Sequence, residues 1–275
     1  MTPLQRTARR TAELIGRESW LIRRLRPAYE SLLAWSGDEA GIPWNINGIT
    51  YRVDPRQRHR LGERYDPAVA EFLRNNVKAG SLCFDVGANV GVYVLQFAHW
   101  SGPTGKVVAF EPNPAACSIL ERHVRMNHLS ERVRIVPAAV AAIDGQERFY
   151  AAGADGMSRL GEPNRALAAT AGEIVVPVVT LDQYCASQGL RPDWLLIDIE
   201  GFEIAALSGA RQTIESGRGK LGMVVEMHPN VWSSANTTRA AAEDLFADLG
   251  LTVVALTGQT DPLAEHGIVH LAYSS

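Results

Sequence analysis

Short apolar runs alternate with amphipathic stretches over most of the chain. Residues 82–84 are apolar and too few for a buried helix, so they read as a core strand. That run ends on Asp85 and a glycine-rich turn, and 91–99 then carries a helical pattern. Residues 107–110 form a second apolar run, ending on Glu111. The two runs and the helix make a β-α-β unit with an acid at the C-terminal end of each strand, the edge where open α/β sheets bind ligands. Further strands are predicted at 133–136, 147–150, 174–179, 194–197, 223–225, 252–256 and 267–272. Helices are predicted at 66–77, 114–127, from Leu181, at 203–214 and at 238–249. Asp66 and Pro67 give the first of these a cap and a first-turn proline. Gly250 stops the last one. Strands alternating with helices from residue 66 onward predict a doubly wound α/β sheet. The last two runs have no helix between them and predict an antiparallel edge.

Two regions depart from this alternation. Trp44 to Val53 alternates around Asn47-Gly48, a signal for a hairpin with a two-residue turn. Residues 153–172 are rich in Gly and Ala and lack periodicity. A loop of that length is either a binding lid, with Met157, Ser158 and Arg159 in it, or a plain connection. Residues 1–36 are helical in pattern, with arginines between Leu14, Ile15, Trp20, Leu21, Ile22 and Leu25, and a break at Pro27. Such a segment packs on the main domain, or on a second subunit of a homo-oligomer, or lies as a basic amphipathic helix on an acidic membrane surface or partner. The expected division is therefore a helical extension and hairpin at 1–65, and a ligand-binding domain at 66–275.

The chain has 275 residues, 46% of them apolar, which suffices for a sizeable core. A formal net charge of −3 gives no basic surplus for nucleic-acid binding. Cys83, Cys117 and Cys185 are scattered, odd in number and without metal spacing, which fits a reducing cytoplasm. No apolar run nears the 18 residues of a membrane span, and no apolar stretch follows the basic N-terminus to make a secretory signal.

The chemistry concentrates in Asp85-Val-Gly87-Ala-Asn89-Val-Gly91. Gly87 permits a backbone angle that other residues resist, and Gly91 lets the turn approach a ligand. Amides at the helix start hold anionic groups, and a carboxylate ending the second strand accepts both hydroxyls of a ribose. The ligand is thus a nucleoside. The spacing is G-x-x-x-G, not the G-x-G-x-x-G of pyrophosphate binders. Asp85 would repel a pyrophosphate but suits an ammonium. S-adenosylmethionine has that ammonium, a ribose and no phosphate. The bland alternative is an ordinary α/β turn with an N-capping Asp and a solvated Glu.

Asp85-Val-Gly-Ala-Asn-Val-Gly91, Ala109-Phe-Glu-Pro-Asn-Pro114, Leu181-Asp182 and Ile197-Asp-Ile-Glu-Gly201 together resemble the FkbM-type family of S-adenosylmethionine-dependent methyltransferases. The motifs cover about 66–228. The resemblance implies a Rossmann-like class I methyltransferase fold, a seven-stranded sheet whose last strand is antiparallel. It also implies methyl transfer, usually to a hydroxyl. Two positions depart from the family pattern: Leu196 stands where Lys is common, and His123 where Asn is frequent.

On this reading Asp85 and the Gly87 backbone hold the methionine end, Asn89 and Gly91 bind the cofactor in the same turn, Glu111 takes the ribose hydroxyls, and Asn113, Ala139 and Val140 flank the adenine. A protonated alcohol is a poor nucleophile, so a base or a metal is needed. Asp198, Glu200, Glu226 and His228 are the candidates, at two strand ends. Asp198 or His228 would remove the proton; or Asp198 and Glu226, with Glu200 or His228, would hold a hard divalent cation such as magnesium. The structural alternatives are a helix cap for Glu200 and a turn role for His228 before Pro229. Two other functions stay open: a nicotinamide-dependent oxidoreductase, with Glu111 on its ribose, and a non-catalytic module that binds S-adenosylmethionine. The acceptor, a sugar hydroxyl, a glycan or a natural-product alcohol, has no readable code.

Overall fold

The computed structural model describes residues 40–151, 159–160 and 172–274, with Trp20 and Arg24. The basic segment 1–36 otherwise lies outside the described residues, as do Met157, Ser158 and most of the 153–172 loop. Among the described residues, no helix is long and apolar enough to cross a membrane.

The chain enters through a hairpin, β1 (Ile42–Ile46) and β2 (Ile49–Val53), joined at Asn47 and Gly48. Both turn residues have positive φ, 50° and 87°, as a type I′ turn requires. Helix α1 (Pro67–Asn76) leads into β3 (Leu82–Val86), α2 (Val92–Trp100), β4 (Lys106–Phe110), α3 (Pro114–Met126) and β5 (Val133–Val136). There follow β6 (Ala139–Val140), β7 (Gly145–Ala151), β8 (Arg159–Leu160), β9 (Gly172–Val179) and α4 (Leu181–Gln188). The C-terminal part is β10 (Trp194–Ile197), α5 (Glu203–Ser208), α6 (Arg211–Ser216), β11 (Gly222–Met227), α7 (Arg239–Leu249), β12 (Leu251–Ala255) and β13 (Gly267–Tyr273). A 3-10 segment, Pro229–Ala235, links β11 to α7.

The main sheet has seven strands in the order β12-β13-β11-β10-β3-β4-β5. The chain starts near the middle, runs outward to β5, then returns to build the other half from β10. The order reverses between β3 and β10, which places the ligand crevice there. The final strand is antiparallel to both neighbours, as expected. It is not at the edge, however: it inserts between β11 and β12.

Successive residues of each strand serve opposite faces. Cys83, Val107, Leu196 and Val224 enter one core with α1, α2, α3 and the hairpin residues Ile42, Ile46, Tyr51 and Val53. Phe84, Val108, Leu195 and Val225 enter the other with α4 to α7. The hairpin therefore shares the core of the main sheet. It is clamped by Asn47, whose side chain donates to the Tyr65 carbonyl at 2.7 Å and accepts the Tyr65 N–H at 3.0 Å.

Three local features differ from the sequence expectation. The helix expected over 203–214 is two, broken at Gly209. A Cβ on Gly209 would lie 2.2 Å from the Ala141 carbonyl oxygen, and its own carbonyl accepts the Asp182 N–H. Asp66 does not cap α1; its backbone is left-handed and its carboxylate accepts the Tyr93 hydroxyl at 3.0 Å. A second, four-stranded sheet, β6-β9-β7-β8, stands beside the main one, with its own small core around Phe149, Val176 and Val178.

Candidate active site

The C-terminal ends of β3, β4, β10 and β11 open on one cavity of about 340 Å³. Asp85, Gly87, Asn89, Glu111, Asn113, Ala139, Val140, Asp198, Glu200 and Glu226 all line it. Gly91 and His228 are not in its wall but lie behind it.

The turn after β3 is shaped by protein contacts. Gly87 has φ 89°, and a Cβ there would sit 1.8 Å from the Asp198 carbonyl oxygen, so only glycine lets the ends of β3 and β10 meet. Gly91 has φ 92°, and the space of its missing Cβ is taken by Leu120 of α3. Its close approach is therefore to a helix, where the sequence suggested a ligand. The turn is tied to the next strand end as well. The Glu111 carboxylate accepts the Asn89 N–H at 2.7 Å and the Asn113 N–H at 2.8 Å. Each carboxylate oxygen keeps a second lone pair for a ligand hydroxyl. Burial raises Glu111 to about 7 even against these two donors. Asn113 also caps α3 through Ala115 at 3.0 Å.

Asp85 is 2% exposed, and its Oδ2 is buried with no hydrogen-bond partner in the structure. Burial, and then the Glu111 charge, raise it to about 8, opposed by the Val94 N–H. An orphaned buried carboxylate oxygen on a cavity wall calls for a cationic or donor group from a ligand. The two departures from the family pattern are both apolar or neutral here. Leu196 is buried. His123 is fully buried, with Nδ1 2.7 Å from the Val90 carbonyl and Nε2 accepting the Asp54 N–H at 3.0 Å. It joins the glycine turn to the end of the hairpin, and burial lowers its pKa.

Asp198, Glu200, Glu226 and His228 gather at the ends of β10 and β11. Glu200 does not cap α5, which has no side-chain cap; it has φ 52° and lies 3.8 Å from His228 Nε2. Burial raises Asp198, with the Glu226 charge adding and His228 opposing. Burial likewise raises Glu200, again opposed by His228. Two members of this cluster had no signal that singled them out in the sequence. Glu203 is fully buried, accepting the Gly201 N–H at 2.7 Å and the Trp232 indole N–H at 3.1 Å, with His228 Nδ1 at 2.7 Å. Burial works against charge on His228, but the bond to Glu203 and the surrounding acids prevail and raise it to about 9. His266, just before β13, places Nε2 2.8 Å from Glu226.

The far wall comes from outside the main sheet. Arg60, Tyr65 and Asp66 precede or open α1, and Phe149 and Phe202 come from the second sheet and the turn before α5. Tyr65 and Tyr93 stack edge to face at 5.5 Å.

The sequence profile of the family described as "Methyltransferase FkbM domain" matches residues 85–250, which takes in both strand-end acids, the glycine turn and, of the acid–histidine cluster, every member but His266. The chain belongs to this family. Among curated relatives, this FkbM-domain chain is 29% identical over 123 residues to a protein-L-isoaspartate O-methyltransferase of Caenorhabditis elegans, covering 42% of the chain and 54% of the relative. It is 39% identical over 64 residues to the 31-O-demethyl-FK506 methyltransferase FkbM of Streptomyces tacrolimicus, covering 22% and 24%. The chain thus spans about half the length of the first and a quarter of the second. Among solved structures, a methyltransferase FkbM from Methylobacillus flagellatus KT matches with a TM-score of 0.47 and 13% identity, over 70% of this chain and 44% of that one. The family match leaves a nicotinamide-dependent oxidoreductase without support.

Proposed function

We propose that this FkbM-domain protein transfers a methyl group from S-adenosylmethionine to a hydroxyl of a small-molecule, sugar or glycan acceptor. The observation that carries the reading is the pair Asp85 and Glu111. One is a buried carboxylate with an orphaned oxygen; the other is a strand-end carboxylate with lone pairs to spare; both face one cavity. An ammonium answers the first and a ribose diol the second. Ala139 and Val140 offer a flat apolar wall for an adenine. When bound, S-adenosylmethionine supplies a methyl group on a positively charged sulfur.

The protein's own work is positioning and proton handling. Orienting two reactants in one cavity accounts for much of the acceleration such displacements need. Asp198 sits where β10 meets the glycine turn, and among the described residues its side chain accepts no hydrogen bond, so it is the group placed to take the acceptor's proton. Glu200 and His228 stand behind it. The second route, a hard divalent cation such as magnesium on Asp198 and Glu226, serves the same end by polarising the hydroxyl. Tyr65, Phe149 and Phe202 shape the acceptor side.

Transfer of a labelled methyl group to a panel of hydroxyl acceptors tests the reading. Asp198→Asn should lower kcat by about 100-fold or more while leaving S-adenosylmethionine affinity within about threefold. Full activity of the variant would remove Asp198 from the chemistry. Full activity after EDTA treatment would remove the cation.

A further inference from the structure

The acid–histidine cluster contains a second donor set, which overlaps the magnesium route at Glu226 but has two histidines in place of Asp198. Glu226, His228 and His266 each present one ligand atom, and these atoms lie within 4.8 Å of one another. His266 Nε2 is 2.8 Å from Glu226 Oε1, and His228 Nε2 is 3.8 Å from the same oxygen. The two imidazoles face each other with centroids 4.7 Å apart and planes tilted by 34°. Around an ion with bonds near 2.1 Å, neighbouring donors stand about 3 to 3.5 Å apart and opposed donors about 4.2 Å. The two separations from Glu226, 2.8 and 3.8 Å, fall about 0.2 Å below and about 0.3 Å above the span for neighbouring donors.

The way His228 is held points the same way. The His228 side chain is 8% exposed, yet among the described residues its Nε2 makes no hydrogen bond; the nearest carboxylate oxygens, on Glu200 and Glu226, are both at 3.8 Å. The other ring nitrogen is held by Glu203, a carboxylate with no exposure that is itself fixed by Gly201 and Trp232. A buried carboxylate on one imidazole nitrogen fixes the ring with the other nitrogen outward, the arrangement that supports metal-ligating histidines.

We infer that Glu226, His228 and His266 form a binding site for a divalent first-row transition ion at the rim of the cavity, with Glu203 as the positioning residue behind His228. Two imidazoles and one carboxylate suit manganese, iron, cobalt or zinc, whereas magnesium prefers an all-oxygen shell. Glu226 also lines the cavity, so an ion held there would lie at the cavity's edge. The site deepens the methyltransferase reading without depending on it for binding.

The test uses the full chain without a histidine tag, stripped with chelator and titrated with cobalt(II). Visible d–d absorption should saturate at one ion per chain and be abolished by zinc. Equimolar magnesium should leave it unchanged. His266→Ala alters a half-exposed side chain and should fold normally, yet weaken cobalt binding at least tenfold; Glu203→Gln should alter the spectrum while keeping the fold. No saturable absorption, equal binding by His266→Ala, or displacement by equimolar magnesium would each overturn the inference. Calorimetry with S-adenosylmethionine on the same sample separates the two claims. Cobalt bound without S-adenosylmethionine leaves the metal site standing and removes the transferase reading, and the reverse removes the metal site alone.

Discussion

Glu203 carries more of the site than its position at the start of α5 suggests. It has no exposed surface and holds three partners, the Gly201 amide, the Trp232 indole and His228. Removing one member of a buried charged network leaves the others unpaired, at about 3 to 5 kcal/mol. Glu203→Ala should therefore lower unfolding free energy by about 3 kcal/mol in urea denaturation; a loss under about 1 kcal/mol would show the network to be dispensable. The sequence did not mark Glu203, because an acid in a helix's first turn is ordinary and only the fold brings β11 and Trp232 against it. His266 was hidden for the same reason: its partner Glu226 is 40 residues away. Asp85 and Glu111 were legible because each ends an apolar run, so position along a strand alone told which edge they occupy.

At the scale of elements, the Leu181-Asp182 motif has a mechanical role. Asp182 accepts the Gln212 and Thr213 N–H groups at 2.9 and 2.7 Å and the Thr213 hydroxyl at 2.7 Å, so it satisfies the start of α6 from another helix. Asp182→Ala should cost about 1 to 2 kcal/mol, read as a lower Tm with S-adenosylmethionine affinity unchanged. Gly87→Ala is the harsher change. Its Cβ would meet backbone at 1.8 Å at a φ of 89°, so destabilisation of about 3 kcal/mol or more is expected. Near-normal stability would contradict the close approach of β3 and β10. Strand positions and the Asn47-Gly48 hairpin were readable from local pattern. The break at Gly209 was not, since 203–214 keeps a helical periodicity throughout and the Ala141 backbone that crowds Gly209 is remote in sequence. The second sheet was missed because β6 pairs with β9, across the two intervening strands β7 and β8.

At the scale of the molecule, the alternation of strands and helices predicted the doubly wound sheet. The insertion of β13 between β11 and β12 was beyond it, because two adjacent strands read alike as an edge or as an insertion. The sheet brings Asp85 and Glu111 together in the cavity wall, and this has a thermodynamic consequence. Their ordinary values of 3.8 and 4.5 rise to about 8 and about 7 in the folded ligand-free protein. Between those limits the folded state holds more protons than the unfolded one, so stability falls as pH rises from about 4 to about 8. Differential scanning calorimetry of the ligand-free protein should show Tm declining over pH 5 to 8, with a shallower slope in Asp85→Asn. An ammonium on Asp85 favours its charged form, so S-adenosylmethionine should raise Tm more at pH 8 than at pH 6.

The central claim is that the edge formed by β3 and β4 binds S-adenosylmethionine through these two acids, and isothermal titration at pH 8 tests it most directly. The expected result is one site per chain, weakened about 10- to 100-fold in Glu111→Ala, the loss of charge-assisted hydrogen bonds to a ribose diol. No binding by the parent protein, or equal affinity in Glu111→Ala, would contradict it.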